Sequence, residues 1–206
     1  VDGASGSENR FVIDGVDTTN PQDGTSGQAF VTDFLEEVQV KSAGYAAEYG
    51  GALGGVINAV TKSGTNEFHG WAGAYYSDSS LNGKQRPTPY EGFGGLYETW
   101  DKDDTSTLEP GFGIGGPIAK DSVWFYVGYV PRLQTIERTP YEDPNSYSQD
   151  NTSHFITGNV KFNLGSKLVA KLSANLSPSK TDGSLPSQDG TTPAGTDLAL
   201  GNDYPN

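Results

Sequence analysis

The sequence predicts a mostly β chain: a small α+β unit in the first third, then about five antiparallel strands strung like an incomplete transmembrane-type β-barrel. Three observations carry that expectation. Hydrophobic residues make up only 33% of the 206 residues, against 28 Gly and 11 Tyr, a balance that suits strands facing two environments better than helices around one core. Apolar and polar residues alternate through the second half at the period of a strand. The connections between those stretches run long, short, long, short, as they do between the outer loops and periplasmic turns of membrane barrels.

Taken in order, Val1 to Asn9 is a Gly/Ser-rich entry loop and Arg10 to Ile13 a first strand, ended by Asp14-Gly15. Val16 to Gly27 has the Asp, Thr, Asn, Pro and Gly content of turns. A helical turn is expected around Thr32 to Leu35, with Thr32 as cap and Phe34 and Leu35 as its apolar face. Two short β-branched runs follow, Glu37 to Lys41 and Gly55 to Lys62, around a segment holding Gly44, Gly50, Gly51 and Gly54. Glycine at that density lets backbones approach closely, so the segment predicts a tight strand-turn-strand knot.

From Phe68 the strands lengthen. Phe68 to Tyr76 is the first, Phe112 to Ile118 the second and Val123 to Ile136 the third, with hydrophilic loops over Ser77 to Leu108 and Arg138 to Asn151 and a tight turn at Ala119 to Ser122. The clearest pattern is the next pair. Ile156, Gly158, Val160, Phe162 and Leu164 alternate with polar residues, then Leu168, Ala170, Leu172, Ala174 and Leu176 do the same across Gly165-Ser166. That predicts a hairpin with a two-residue turn and one wholly apolar side. Pro178 to Asn206 has the composition of a further outer loop.

Composition also excludes. A net charge of −13 repels phosphate backbones and argues against nucleic-acid binding. There is no Cys, hence neither a disulfide framework nor a thiolate site, and no apolar run approaches the ~20 residues of a membrane helix. Gly111, Gly113 and Gly116 fit G-x-G-x-x-G, but Pro117 denies the helix a dinucleotide site requires, so they are expected as strand glycines. His69 and His154 are placed at the ends of strands, without metal-ligand spacing. Trp71, Tyr75, Tyr76, Trp124 and Tyr126 suit either an interfacial aromatic belt or packing within a sheet. No catalytic residues are assigned and the chain is not expected to be an enzyme. The loop acids Asp101, Asp103 and Asp104 are the candidates for a Ca²⁺ site, carboxylates being suitable ligands.

The segment RFVIDGVDTTNP followed by EEVQVKSAGYAAEYGGALGGVINAVTKSGTNEFHG resembles the end of the plug domain of a TonB-dependent outer-membrane receptor, in its Oar-like branch. Ile13-Asp14-Gly15 matches the family's IDG turn, Glu37 to Val40 its EVQV strand, and Ala47 to Gly50 its AEYG element. Gly54 to Asn58 matches GGVIN, and Thr61 to Gly64 the TKSG exit to the barrel. The resemblance implies that residues 1–66 are the C-terminal part of a plug and residues 67–206 the first barrel strands with their outer loops. It implies that Asp14, Gly15, Glu37, Glu48, Gly54, Gly55, Asn58 and Lys62 hold plug to barrel. It further implies a bacterial outer-membrane location, membrane lipid and the TonB complex as partners, and energy-coupled transport of an unspecified substrate. Two alternatives stay open at this point. Five strands do not close a barrel, and open edges recruit strands, so one is a self-associating extracellular homo-oligomer or filament. The other is an acidic β module binding Ca²⁺ or carbohydrate.

Overall fold

The computed structural model describes residues 8–20, 22–28, 31–42, 54–83, 102–140, 144–163, 165 and 168–188. It divides into two units. The first takes residues 1–73, 111–130 and 154–178, the second residues 74–110, 131–153 and 179–206, and the long strands pass from one into the other.

Within the first unit lies a four-stranded mixed sheet in the order β2-β1-β4-β3, made of β1 (Asn9–Ile13), β2 (Val16–Asp17), β3 (Leu35–Lys41) and β4 (Gly55–Thr61). β1 and β2 pair as a hairpin through Ile13↔Val16. Asp14 and Gly15 between them have φ of 49° and 82°, the two positive values a two-residue primed turn requires, which Asp-Gly supplies at little cost. β1 runs parallel to β4 and β3 antiparallel to it, with a register shift between Leu35 and Glu37. Val12, Ile13, Val56 and Ala59 are buried on this sheet. The expected helical turn is a 3-10 turn over Thr32–Phe34, but Val31 takes the cap position and no side chain caps it. The glycine knot between β3 and β4, with Glu48, lies outside the described residues.

The second sheet has six strands: β5 (His69–Asp78), β6 (Asp104–Ala119), β7 (Val123–Arg138), β8 (Tyr147–Asn163), β9 (Val169–Leu176) and β10 (Ser179–Asp182). Its order is β10-β8-β7-β6-β5, with β9 also on β8, and it is not closed. β9 pairs with residues 156–163 of β8 and β10 with residues 150–153. Pro178 separates them, and its carbonyl accepts from the His154 N–H at 2.9 Å. The two therefore act as one interrupted strand, and the sheet presents five staves, as expected.

Four details correct the sequence-based boundaries. β6 begins at Asp104 and not at Phe112, and β8 at Tyr147 and not after Asn151. These extensions look like loop because they are polar, yet Thr107, Glu109 and Asp150 in them have cross-strand partners. Arg132 bonds Glu109 at 2.6 Å, Gln134 donates to Thr107 at 3.3 Å, and Thr135 donates to Asp150 at 2.7 Å. The β8–β9 connection spans residues 164–168, since Asn163 pairs with Val169; Gly165 has φ 85°. The last correction is β10 itself, inside what composition marks as loop.

The hairpin of β8 and β9 is inverted relative to a soluble sheet. Its apolar pairs, Ile156↔Leu176 and Val160↔Leu172 among them, lie on the exposed side, with Leu172 71% and Leu176 59% accessible. Thr157 and Asn159, on the polar side, are 1% and 4% accessible. The same sense holds in β6 and β7, where Phe112, Ile114, Ile118 and Val127 are exposed while Tyr126 and Val130 are buried.

Candidate functional site

The buried polar side of the wall meets the four-stranded sheet, and that contact is the candidate site. Its first part is ionic. The β1–β2 turn holds the Asp14 carboxylate where the Thr61 N–H and hydroxyl donate to it at 3.0 and 2.6 Å. From β9, Lys171 Nζ donates to Asp14 Oδ1 at 2.8 Å and to Thr61 Oγ1 at 2.9 Å. The Asp14 side chain is only 8% accessible and that of Lys171 25%, so the pair is shielded well enough that losing either partner leaves a costly unpaired charge.

A second polar part lies beside it. The Lys62 carbonyl accepts from Asn159 Nδ2 at 2.7 Å, and the Lys62 ammonium donates to the Asp33 carbonyl at 2.7 Å while lying 5.6 Å from the Trp71 ring centroid. Asn159 Oδ1 is buried and has no hydrogen-bond partner among the described residues. Thr157 donates to Asn175 Oδ1 at 2.6 Å, and Gln28 donates to the Asn175 carbonyl at 3.2 Å.

The third part is aromatic. Phe34, carried by the 3-10 turn and 2% accessible, lies 6.4 Å from Trp71 and against Gly128. A Cβ at Gly128 would stand 2.6 Å from the Phe34 ring, so only glycine leaves the ring its seat. Trp71 Nε1 donates to the Tyr126 hydroxyl at 3.0 Å. Gly113 makes space for that pair, since a Cβ there would come within 2.5 Å of both polar atoms. Gly113 of β6 and Gly128 of β7 are thus sockets for inward aromatic side chains, and Gly111, Gly113 and Gly116 all lie within β6, as expected of strand glycines.

Of the eight residues the resemblance assigns to plug-to-barrel contact, Asp14 and Lys62 reach the second sheet. Gly15 sets the turn that presents Asp14. Gly54 donates to the Glu8 carbonyl at 2.9 Å, and Gly55 and Asn58 pair with Asn9 and Val12 inside the small sheet. Glu37 is exposed and accepts from Gln39; Glu48 lies outside the described residues. Sequence reasoning missed Phe34, Thr61, Thr157, Asn159 and Lys171 as contacts. The signal for three of them was present, because Thr157, Asn159 and Lys171 occupy the polar register of the hairpin.

Other assignments also shift. His69 opens β5, but His154 is inside β8, stacked 6.0 Å from Tyr129 with Nδ1 2.8 Å from its hydroxyl. Trp71 and Tyr126 point inward and bond each other, so they leave any interfacial belt, whereas Tyr75 and Tyr76 are exposed. Trp124 donates to Asn66 Oδ1 at 2.7 Å, and Asn66 in turn donates to Asp121 at 2.6 Å, tying the β6–β7 turn to the segment leaving β4. Of the calcium candidates, Asp103 is held bidentately by Arg138 at 2.8 and 2.6 Å, and Asp104 accepts from Ser79 at 3.0 Å. Asp101 lies outside the described residues. Among the described residues no three metal-binding side chains come together.

An open antiparallel wall, apolar outside and polar inside, with a separate small sheet against its polar side, defines the class: an outer-membrane β-barrel protein. The comparisons agree. Residues 60–144 match the family model of an outer membrane beta barrel domain. Over 139 residues, 68% of the chain, the sequence is 34% identical to the TonB-dependent transporter Oar of Myxococcus xanthus, of which the match spans 13%. The fold superposes on the siderophore receptor PirA of Acinetobacter baumannii with a TM-score of 0.56 at 19% identity, covering 88% of this chain and 25% of that one. The particular group is therefore the one its motifs resemble, the TonB-dependent receptors in their Oar-like form, and the location is the bacterial outer membrane.

Proposed function

We propose that the chain works as the lumen-side plug end and first wall strands of a TonB-dependent outer-membrane transporter, with residues 1–66 in the plug and residues 67–206 in the barrel. The observation that carries this is the contact built on Asp14, Thr61 and Lys171. A plug that must shift when the TonB complex pulls needs a contact that is specific at rest and can exchange with water. Charged and amide hydrogen bonds meet that need, because their net worth is modest once water replaces the partner. A dry interface packed like a protein core would separate far less readily. The outward apolar side of the strands faces membrane lipid in this account.

The test uses the full receptor in cells. A cysteine placed at Asn159 should react with a small maleimide faster when the TonB complex is energised than in cells lacking it. Equal rates in both would contradict the proposal.

The unclosed sheet favours one alternative. β5 bounds one side of the sheet and the β9/β10 stave the other, so further strands of the same polypeptide or a second copy must continue the wall. Self-association into a filament predicts large particles built from chains of 21.8 kDa. A transporter predicts one much longer chain. Calcium at the outer acids would have to compete with the Arg138 guanidinium for Asp103.

A further inference from the structure

We propose that the outer face of β5 and β6 holds one phospholipid of the periplasm-facing leaflet, its acyl chain in an apolar groove and its phosphate at Lys120. This rests on the membrane reading above and adds a specific site to it. The groove has a volume of about 620 Å³ and is lined by residues 68–72 and 112–114, of which Phe68, Gly70, Ala72, Phe112 and Ile114 share one strand face. Alternation puts these residues on the exposed side, opposite Trp71 and Gly113. Gly70 and Ala72 make a floor without bulk, while Phe68, Phe112 and Ile114 stand up around it, 69%, 49% and 46% accessible.

The groove lies at the end of the wall near the β6–β7 turn, because Phe68 packs over Gly116. Short turns of outer-membrane barrels are periplasmic, which selects the inner leaflet and hence a phospholipid. Lys120 occupies that turn, on the same strand register as Ile114 and Ile118. It is exposed, and no described group pairs with it. Its neighbours in the turn are engaged: Asp121 bonds Asn66 and the Ser122 carbonyl accepts from Asn163. The exposed Glu67 stands on the segment before β5 and disfavours a purely anionic headgroup. A zwitterionic one satisfies both signs. Lys120 stands four residues, roughly 13 Å of strand, beyond the Gly116 end of the trough, and an unpaired cation on the water side of an apolar trough is the complement of a phosphate above a hydrocarbon chain.

The experiment reconstitutes the full receptor in phosphatidylethanolamine vesicles doped with a phosphatidylethanolamine carrying a diazirine on its acyl chain, and maps adducts after illumination. Adducts on residues 68–72 and 112–114 should exceed those on Leu172 and Leu176 several-fold. Ala72→Leu and Lys120→Glu should each abolish the excess while leaving the Leu172 adducts unchanged, which also shows that the variants are folded. A diazirine fatty alcohol, lacking phosphate, should show no excess. Equal labelling of groove and Leu172 overturns the site but leaves the membrane reading standing. So does an unlabelled groove beside a labelled Leu172, which would mean that protein covers it. An excess that survives Lys120→Glu, or appears with the fatty alcohol, overturns the phosphate assignment. Absence of adducts on both regions defeats the membrane reading itself.

Discussion

The four-stranded sheet and the β8–β9 hairpin obey opposite rules within one unit. In the small sheet the central strands β1 and β4 bury Val12, Val56 and Ala59, while the edge strand β3 exposes Val38 and Val40 together with Glu36, Glu37 and Gln39. In the hairpin Thr157 and Asn159 are buried and Leu172 and Leu176 exposed. Apolar side chains are buried in the centre of one and exposed on the other, so apolar character itself does not say which side is the core. What decides is the solvent on each side. In the reading proposed above, water and other protein lie on both sides of the small sheet, whereas the wall would separate a polar interior from hydrocarbon.

The comparison breaks most readily at Leu172. Leu172→Lys should destabilise the receptor in lipid vesicles by about 2–4 kcal/mol, measured by denaturant titration, whereas a lysine on a water-facing strand would cost little. Next in size is the socket. Gly128→Ala should cost about 1–3 kcal/mol by overpacking against Phe34, and the loss should be largely restored by Phe34→Leu in the same chain. Independent losses in that double-mutant cycle would mean that ring and glycine do not meet. The Asp14–Lys171 pair comes third. Lys171→Met and Asp14→Asn should each cost about 1–3 kcal/mol, with the double variant well short of the sum.

The smallest effect sharpens the contrast from the soluble-like side. The Thr19 hydroxyl and N–H bond the Asp17 carboxylate and hold it below its ordinary value of 3.8, helped by Arg10. A lowered carboxylate contributes stability that is complete above that ordinary value and disappears as pH falls through the lower folded one. Asp17→Asn should therefore lower stability slightly at neutral pH, leave it nearly unchanged below the folded value, and so flatten the acid end of the stability curve. A loss at acid pH as large as that at neutral pH would contradict the assignment.

Much of this architecture was legible in the chain. The Asp14-Gly15 turn, the strands on either side of the glycine segment and the turn at Asp121 follow from local chemistry that tertiary structure had no reason to override. The polar halves of β6 and β8 were not legible, because Glu109 and Asp150 become strand residues only through Arg132 and Thr135, partners 23 and 15 positions away. The site was half legible. Motif matching pointed to Asp14 and Lys62 on one side of the contact, but their partners Lys171 and Asn159 sit in a pattern that looks like an ordinary polar surface. Phe34 looked like a helix face because nothing local announces that Gly128 is its seat.

The most direct test of the central claim is a cysteine scan of residues 156–176 in the membrane-embedded receptor, since the sequence contributes no cysteine of its own. Spin labels on the register of Ile156, Val160, Leu172 and Leu176 should be accessible to oxygen and shielded from a water-soluble nickel complex, while labels at the buried Thr157 and Asn159 should be shielded from both. Nickel access at Leu172 together with oxygen access at Asn159 would show that the hairpin faces the other way.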